Sequence, residues 1–466
     1  MINTQAQTKN QGDFGVGSVR GHILRLAGPM TVAQIINLLY SIVDRIYLGH
    51  LTPGQDSPAL TGIGIAMPVI SILMSVASLC GVGGAPLFSI ARGSGDEDEA
   101  KRVLGNSFTL LLMFGVVLTT LVIAFMRPIL VAFGASSVTL PYALEYMRIY
   151  TFGTIFVMIS LGMNSFINAQ GAARRGMLTV ALGAIVNIIL DPIFIFVFRM
   201  ETAGAALATI IAQFCSAAWV LSYLCRAAPI RISLSHMRLK LRRVVRILTL
   251  GSAGFIMNCT NSLIQVVCNR ALRFWGEAAF ITGGDIYIGA MTVINSVREI
   301  VFAPVQGIAQ GASPVLGFNY GAGKHDRVRQ AIRFSATVNI GYTFAIWLFI
   351  MIAPSVLINI FTDAPGVVLV GVRAMRLYFA MSLFMSLQMT AQQAFTSLGK
   401  SGYAIFFSLL RKAFIAAPLT LLLPSWGLGV DGVFIADTIS QVIGGISCGL
   451  TMYFVVYRRK QLTINS

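Results

Sequence analysis

The sequence predicts an all-α integral membrane protein in which twelve transmembrane helices form two six-helix lobes. Two observations predict this fold class: long apolar segments and an internal repeat. Of the 466 residues, 56% are hydrophobic and 11% are charged, with a mean hydropathy of +0.78, far from the averages of soluble domains. Open backbone finds no hydrogen-bond partner in lipid, so we expect every apolar segment to be helical.

Twelve segments are long enough to cross ~30 Å of hydrocarbon, which takes roughly 20 apolar residues. We number them spans 1 to 12, in order 23–48, 61–88, 103–126, 138–168, 176–198, 202–225, 246–274, 285–312, 331–355, 366–396, 402–424 and 430–457. The polar residues before them lack the apolar region of a signal peptide. Span 1 is therefore expected to direct its own insertion.

A shift of 228 residues aligns the second half of the chain with the first. Ten of the identical pairs at this offset are Pro86/Pro314, Gly93/Gly321, Gly95/Gly323, Met147/Met375, Arg148/Arg376, Tyr150/Tyr378, Gly171/Gly399, Gly204/Gly432, Ala208/Ala436 and Gln213/Gln441. Paired apolar halves are typical of secondary transporters, whose substrate site lies at the repeat interface. The predicted domains are a tail (1–22), a first lobe (23–225), a basic linker (226–245), a second lobe (246–457) and a tail (458–466).

The net charge of +17 comes from basic residues in alternate loops, a pattern that indicates membrane topology and not a nucleic-acid site. Loops of one parity hold most of the basic residues: Arg174, Arg175, Arg231, Arg238, Lys240, Arg242, Arg243, Lys324, Arg327, Arg329, Arg333, Lys400, Arg458, Arg459 and Lys460. Loops of the opposite parity hold little beyond Arg127, Arg199 and Arg273. The positive-inside rule then predicts cytoplasmic termini in a cell membrane, which we expect to be bacterial, with some contact to anionic lipid.

The sequence contains no motif of a catalytic or metal-binding site. Its six cysteines are scattered in or near spans, and its four histidines fall at span ends or in loops. There is no HExxH, phosphate-binding loop or nucleophile elbow. We therefore expect no enzymatic activity, and no cofactor or metal beyond a coupling ion.

Ionisable side chains inside a span are costly and are candidates for function. On span 5, Asn187 and Asp191 lie four residues apart on one face, and Pro192 follows and removes a backbone donor. Measured from the outer end, the helical rise puts Asp191 ~12 Å deep, Asn187 ~18 Å, Thr209 of span 6 ~12 Å and Asp44 of span 1 ~8 Å. Two carboxylates, an amide oxygen and a hydroxyl within one depth band, in the outer half of the first lobe, suit a hard monovalent cation or a shared proton.

A purely structural role is the alternative for each carboxylate. Asp44 precedes Arg45 and could form an interfacial ion pair, while Asp191 could be a structural acid at a kink. The repeat favours function, because Asp44 aligns with Asn269 (after a local slip of three) and Asp191 with Ala417 (after a local slip of two). The architecture therefore does not require these acids twice.

Over residues 20–457 the chain resembles the multidrug and toxic compound extrusion (MATE) transporters of the multidrug/oligosaccharidyl-lipid/polysaccharide superfamily. The matching stretches are Gly28-Pro29-Met30, Val43-Asp44-Arg45, Arg92-Gly93-Ser94-Gly95, Gln170-Gly171, Asn187 to Asp191-Pro192, and Gly321-Ala322-Gly323. The resemblance implies a cation site built from Asp44, Asn187, Asp191 and Thr209. It also implies that Pro29 is a bending point of the first helix, and we take Pro192 as a second hinge.

The second lobe departs from the NorM-like branch of that family, because spans 7 and 10 lack its carboxylates. The chain is more similar to the MepA-like and DinF-like members. Span 8 carries Arg298 and Glu299, and Asp437 stands where the repeat has Thr209. Arg298, Glu299 and Asp437 are candidates for substrate binding or coupling; the alternative is a structural ion pair, for example with Arg148.

These observations predict a monomeric antiporter that exports hydrophobic or cationic organic compounds in exchange for H⁺ or Na⁺ by alternating access. The 20 methionines and 30 phenylalanines suit an adaptable apolar cavity, although lipid contact and core packing account for most of them. Two alternatives remain. A lipid-linked oligosaccharide flippase of the same superfamily would share the repeat, and a channel would need a polar filter, for which no loop is evident.

Overall fold

A computed structural model describes residues 13–49, 58–133, 135–279, 283–361 and 365–457. Within these ranges the regular elements are all helical. The α-helices are α1 Val19–Gly49, α2 Pro58–Gly93, α3 Glu97–Ala132, α4 Leu140–Phe152, α5 Thr154–Ala169, α6 Ala173–Pro192, α7 Glu201–Ser222, α8 Leu241–Ala279, α9 Gly283–Gly321, α10 His325–Ile352, α11 Pro354–Asn359, α12 Pro365–Phe379, α13 Ser382–Ser397, α14 Ser401–Leu409, α15 Ala417–Leu423 and α16 Asp431–Met452. Short π-helical segments are Ile193–Val197, Tyr223–Ala227, Leu410–Ala416, Pro424–Leu428 and Tyr453–Tyr457, and Leu234–His236 is a 3₁₀ turn.

Ten of the described helices are long and apolar enough to cross a membrane, and two bent helix pairs raise the number to twelve. The predicted all-helical fold class is thereby confirmed. The bent pairs are α4 with α5, at 56°, and α12 with α13, at 49°. Spans 4 and 10 are therefore each broken, where the sequence predicts one continuous segment. No proline marks either break; at the first, a Cβ added to Gly153 would lie 2.5 Å from Ile210 Cγ1.

The repeat seen in the sequence recurs in the helix boundaries. A shift of 228 places α5, Thr154–Ala169, onto α13, Ser382–Ser397. The backbone conformation explains why one repeated pair is glycine. Gly95 and Gly323 follow α2 and α9, and their φ values are 82° and 68°. This left-handed conformation is open to glycine and strained for most other residues. These identities therefore mark equivalent turns.

One pair of equivalent turns in the two halves has positive φ at the same positions but carries different side chains. Gly427 and Gly429 have φ of 93° and 52°. The equivalent positions in the first half are Arg199 and Glu201, with φ of 53° and 44°. Both side chains are exposed. The first half thus holds two non-glycine residues in a conformation that normally costs about 1–2 kcal/mol each.

The chain divides into two compact units. Unit 1 comprises Met1–Val16 and Gly28–Gly254, and unit 2 comprises Gly17–Ala27 and Phe255–Ser466. Helix α1 therefore begins in unit 2 and continues in unit 1, and α8 does the reverse. Residues 23–27, assigned to the first lobe from sequence, group with unit 2, and residues 246–254 group with unit 1. The cause is close backbone packing of these helix starts, on Gly311 and Gly83 respectively.

Unit 1 has a continuous apolar core under α2, α3 and α5, in which Phe88 and Phe166 meet edge to face at 5.6 Å between ring centroids. The linker before α8 is attached to the same unit. Gln170 donates to the carbonyl of Ile230 at 3.1 Å and accepts from its N–H at 3.0 Å. Asn106 donates to the carbonyl of His236 at 3.1 Å. The linker therefore follows a fixed path across unit 1.

The core of unit 2 lies between α9, α12 and α16. Its large buried side chains include Phe302, Tyr378, Phe379 and Phe434. Helix α16 packs closely on the segment before it, since a Cβ on Gly432 would lie 2.7 Å from the backbone nitrogen of Pro424. The core side of α16 also carries polar residues, which form part of the second site described below.

Candidate coupling and ligand sites

The structure brings Asn187, Asp191 and Thr209 together inside unit 1. Asn187 Nδ2 lies 3.3 Å from Asp191 Oδ1 and 3.4 Å from Thr209 Oγ1. Asn187 and Asp191 are each 1% exposed and Thr209 is 7% exposed. We call these three residues the acidic cluster. Helix α6 supplies two of them one turn apart, and α7 supplies the third.

Helix geometry next to the cluster sets the spacing of α6 and α7. Pro192 ends α6, and the chain continues as the π-helical segment Ile193–Val197. Such local π geometry is frequent at functional sites. Gly204 near the start of α7 has no Cβ, and one added there would lie 2.9 Å from the carbonyl carbon of Phe194. This close approach carries Thr209 to the face that bears Asn187 and Asp191.

The atoms of the acidic cluster that can bind a proton or a cation are oxygen atoms. The hydroxyl of Thr209 donates to the carbonyl of Ala205 at 2.9 Å and accepts from Asn187 Nδ2 at 3.4 Å, so one of its two lone pairs stays available. Asn187 Oδ1 is buried and accepts no hydrogen bond from the described residues. Burial makes a charge on the carboxylate of Asp191, which is 1% exposed, costly. Asp191 with these two oxygens is therefore suited to hold a proton or a hard monovalent cation.

Asp44 and Pro29, two other residues with a predicted role in coupling, both lie on α1. Asp44 lies on α1, but its side chain is outside the described part of the structure. Pro29 lies within α1, which continues through it as helix. The change from unit 2 to unit 1 along this helix falls at Ala27 and Gly28, directly before Pro29. The bending of α1 at Pro29 stays a prediction.

Apart from the acidic cluster of unit 1, a polar cavity lies wholly within unit 2. Its ionisable lining residues are Arg298, Arg411, Lys412, Tyr378 and Asp437, and we call it the basic cavity. The rest of its wall is Asn261, Ile264, Gln265, Cys268, Met291, Asn295, Val433 and Phe434. The cavity is narrow, with a volume of ≈ 30 Å³, which is room for roughly two waters.

Three ionisable side chains of the basic cavity have a polar neighbour. Lys412 Nζ donates to Asn261 Oδ1, and Arg298 lies near the side chain of Tyr378 in the cavity wall. Asp437 Oδ2 accepts from Gln441 Nε2 at 2.8 Å. The sequence candidates Arg298 and Asp437 therefore lie in one cavity.

The third candidate in this unit, Glu299, lies apart from the cavity lining. Its side chain is exposed, and it interacts electrostatically with the neighbouring Arg298. Its predicted role in substrate binding or coupling remains a prediction.

Arg411 and Lys412 were missed by the sequence reasoning. Both lie inside span 11, and charged residues within an apolar span are themselves the signal of a functional site. Each is 7% exposed. They belong to the π-helical segment Leu410–Ala416, whose geometry brings these consecutive side chains into the same cavity.

Comparison with known proteins identifies the family. The MatE family model matches residues 29–193 and 255–422, which is most of the chain. The protein belongs to the MatE family and is a multi-pass membrane protein, as the sequence predicts.

Similar proteins match along nearly the full length. The chain is 25% identical over 459 residues to the multidrug export protein MepA of Staphylococcus saprophyticus, covering 97% of both chains. It is 23% identical over 457 residues to the protein of that name from Staphylococcus haemolyticus, covering 97% of this chain and 96% of the relative. The fold matches a crystal structure of MATE in the bent conformation with a TM-score of 0.88, at 22% identity and with 95% and 96% of the two chains covered.

Proposed function

We propose that this protein exports hydrophobic or cationic organic compounds in exchange for H⁺ or Na⁺ by alternating access. The observation that carries the proposal is the acidic cluster, a carboxylate buried between two transmembrane helices beside an amide and a hydroxyl. The similarity to relatives named multidrug export proteins supports the substrate class. The family membership supports a transporter as opposed to an enzyme.

The chemistry of coupling follows from the burial of Asp191. Burial makes the ionised form of this carboxylate costly, so a proton, or a cation held by the oxygens of the cluster, stabilises it. Such an ion couples to export only if it favours a state of the protein that binds the organic compound less well. The two ligands then displace one another, and the ion gradient drives the compound outward.

Ethidium efflux from proteoliposomes tests the proposal, under an imposed H⁺ gradient and separately under a Na⁺ gradient. We expect Asp191→Asn to abolish gradient-driven efflux, because the amide keeps the shape and loses the titrating group. Glu145→Gln is the matched control, since Glu145 is an exposed carboxylate of α4 that accepts from Thr202 at 2.7 Å, outside the cluster. Wild-type efflux by Asp191→Asn would refute the coupling role.

The same vesicles separate this function from its main alternative. A lipid-linked oligosaccharide flippase would not require the acidic cluster. It would leave ethidium in place under both gradients and would move a lipid-linked sugar across the bilayer. Ethidium efflux that depends on either gradient supports the antiporter.

We further propose an inner-membrane location with both termini in the cytoplasm, on the basis of the Lys and Arg asymmetry between loops. Ser235 in the linker offers an exposed position for a test. In a variant without native cysteines, Ser235→Cys should resist an impermeant maleimide in intact cells and react in inverted vesicles. Labelling in intact cells would reverse the topology.

A further inference from the structure

Arg411 is a buried cation that the described residues leave without a counter-ion. It is 7% exposed, its buried Nε has no hydrogen-bond partner, and no ion pair among the described residues includes it. Its stem lies against α16 where Gly444 makes room, because a Cβ there would come within 2.9 Å of Arg411 Cγ. Its head group lines the basic cavity. A buried charge in this position is costly unless something pairs with it.

The charges around the cavity leave an excess of positive charge. Arg298, Arg411 and Lys412 face a single lining carboxylate, that of Asp437. Arginine stays protonated in proteins, so the lining remains cationic even if Lys412 is neutral. Within the described residues, no ion pair joins Asp437 to any of the three cations. The nearby Glu299 is exposed and lies outside the lining.

We propose that the basic cavity is a binding site for an organic anion, specifically a carboxylate carried on an apolar body. A guanidinium presents paired donors that match a carboxylate in a bidentate geometry. The cavity wall beside the cations is apolar and includes Ile264, Met291 and Phe434. The narrow interior, of ≈ 30 Å³, admits the carboxylate end of such a compound. The use of this site in transport rests on the proposed export function, but binding does not.

The direct test is binding of radiolabelled benzoate to the purified protein in a neutral detergent, measured by scintillation proximity. Benzamide serves as the uncharged analogue of the same shape. We expect saturable benzoate binding that benzamide does not displace at equal concentration. Arg411→Gln should weaken benzoate binding roughly 10-fold or more, because it removes a charge-assisted contact. Arg376→Gln on α12 is the control, since Arg376 is exposed and does not line the cavity.

For a second variant, Asp437→Asn, we expect the affinity for benzoate to change in the opposite direction. Asp437→Asn removes the carboxylate that competes with the ligand, so it should tighten benzoate binding. If Arg411→Gln does not elute as a folded protein, Arg411→Lys and Asp437→Asn carry the test, with weaker and tighter binding expected. Displacement by benzamide, an absence of saturable binding, or weaker binding in Asp437→Asn overturns the proposal.

The outcome is separable from that of the proposed function. The Asp191→Asn variant should bind benzoate as the wild type does, because Asp191 belongs to unit 1 and the basic cavity to unit 2. Ethidium exchange without benzoate binding would reject only the anion site. Benzoate binding without ethidium exchange would reject only the antiporter.

Discussion

Gly83 and Gly311 are equivalent positions of the repeat, and the first part of a long helix packs with its backbone against each of them. Helix α8 packs on Gly83, and α1 packs on Gly311. A Cβ added to Gly83 would lie 2.6 Å from the backbone nitrogen of Gly251, and one added to Gly311 would lie 2.6 Å from that of Ala27. Real Cβ atoms do not approach backbone so closely. Both halves thus use the same small residue to admit the beginning of α8 or α1.

Gly83→Ala should destabilise the folded protein by about 1–3 kcal/mol, because backbone would have to move to admit the methyl group. Thermal unfolding in detergent measures the effect. Gly64→Ala in the same helix is the matched control, since nothing lies within 4 Å of a Cβ there. Equal stability of the two variants would contradict the close packing.

Thr209→Val should weaken the apparent affinity for the coupling ion about tenfold, because it removes a buried oxygen and keeps the side-chain shape. The ion concentration at half-maximal ethidium efflux gives the affinity. Thr209→Ser keeps the hydroxyl and should stay close to the wild type. If valine is tolerated as well as serine, the hydroxyl is not a ligand.

Pro29→Ala should impair efflux more than it impairs equilibrium binding of substrate. The reason is that the proline ring removes one hydrogen bond of α1 and leaves a bending point where the helix changes unit. Pro68→Ala is the control, a proline inside α2, which does not change unit at that point. Equal losses in efflux and binding, or none in either, would reject bending of α1 as the coupling step.

Glu201→Gly should be more stable than Glu201→Ala by about 0.5–1 kcal/mol. Both variants lose the same charge at the start of α7, but only glycine relieves the left-handed conformation at φ 44°. Melting temperatures of the two variants in one detergent make the comparison. An alanine variant of equal or greater stability would mean that no strain is stored at this position.

The sequence predicts the helices well and their interruptions poorly. Apolar length and the 228-residue repeat place all twelve spans, because both depend only on the sequence. The bends between α4 and α5 and between α12 and α13 escape prediction, since they occur without a proline and depend on contacts such as that of Gly153 with Ile210. The grouping of the starts of α1 and α8 with the opposite unit also escapes prediction from the sequence, because it depends on contacts between distant parts of the chain.

The sites show the same division. Helical spacing predicts that Asn187 and Asp191 share a face, and depth matching adds Thr209, which the structure places 3.4 Å from Asn187 Nδ2. The basic cavity was only partly foreseen. Arg411 and Lys412 are adjacent in sequence, and an ideal helix would separate their directions by about 100°, whereas the π-helical segment brings both to one cavity.

The exchange of helix starts also sets an order of events during synthesis. Ala27 is among the first residues of α1 to be made, yet the backbone of Ala27 packs on Gly311 in unit 2. At ~5–20 residues per second, about 280 further residues take tens of seconds to emerge from the ribosome. The beginning of α1 must therefore wait in the membrane without its final neighbour until α9 has been inserted. A chain truncated before α9 would leave this segment exposed to the insertion and quality-control machinery of the cell.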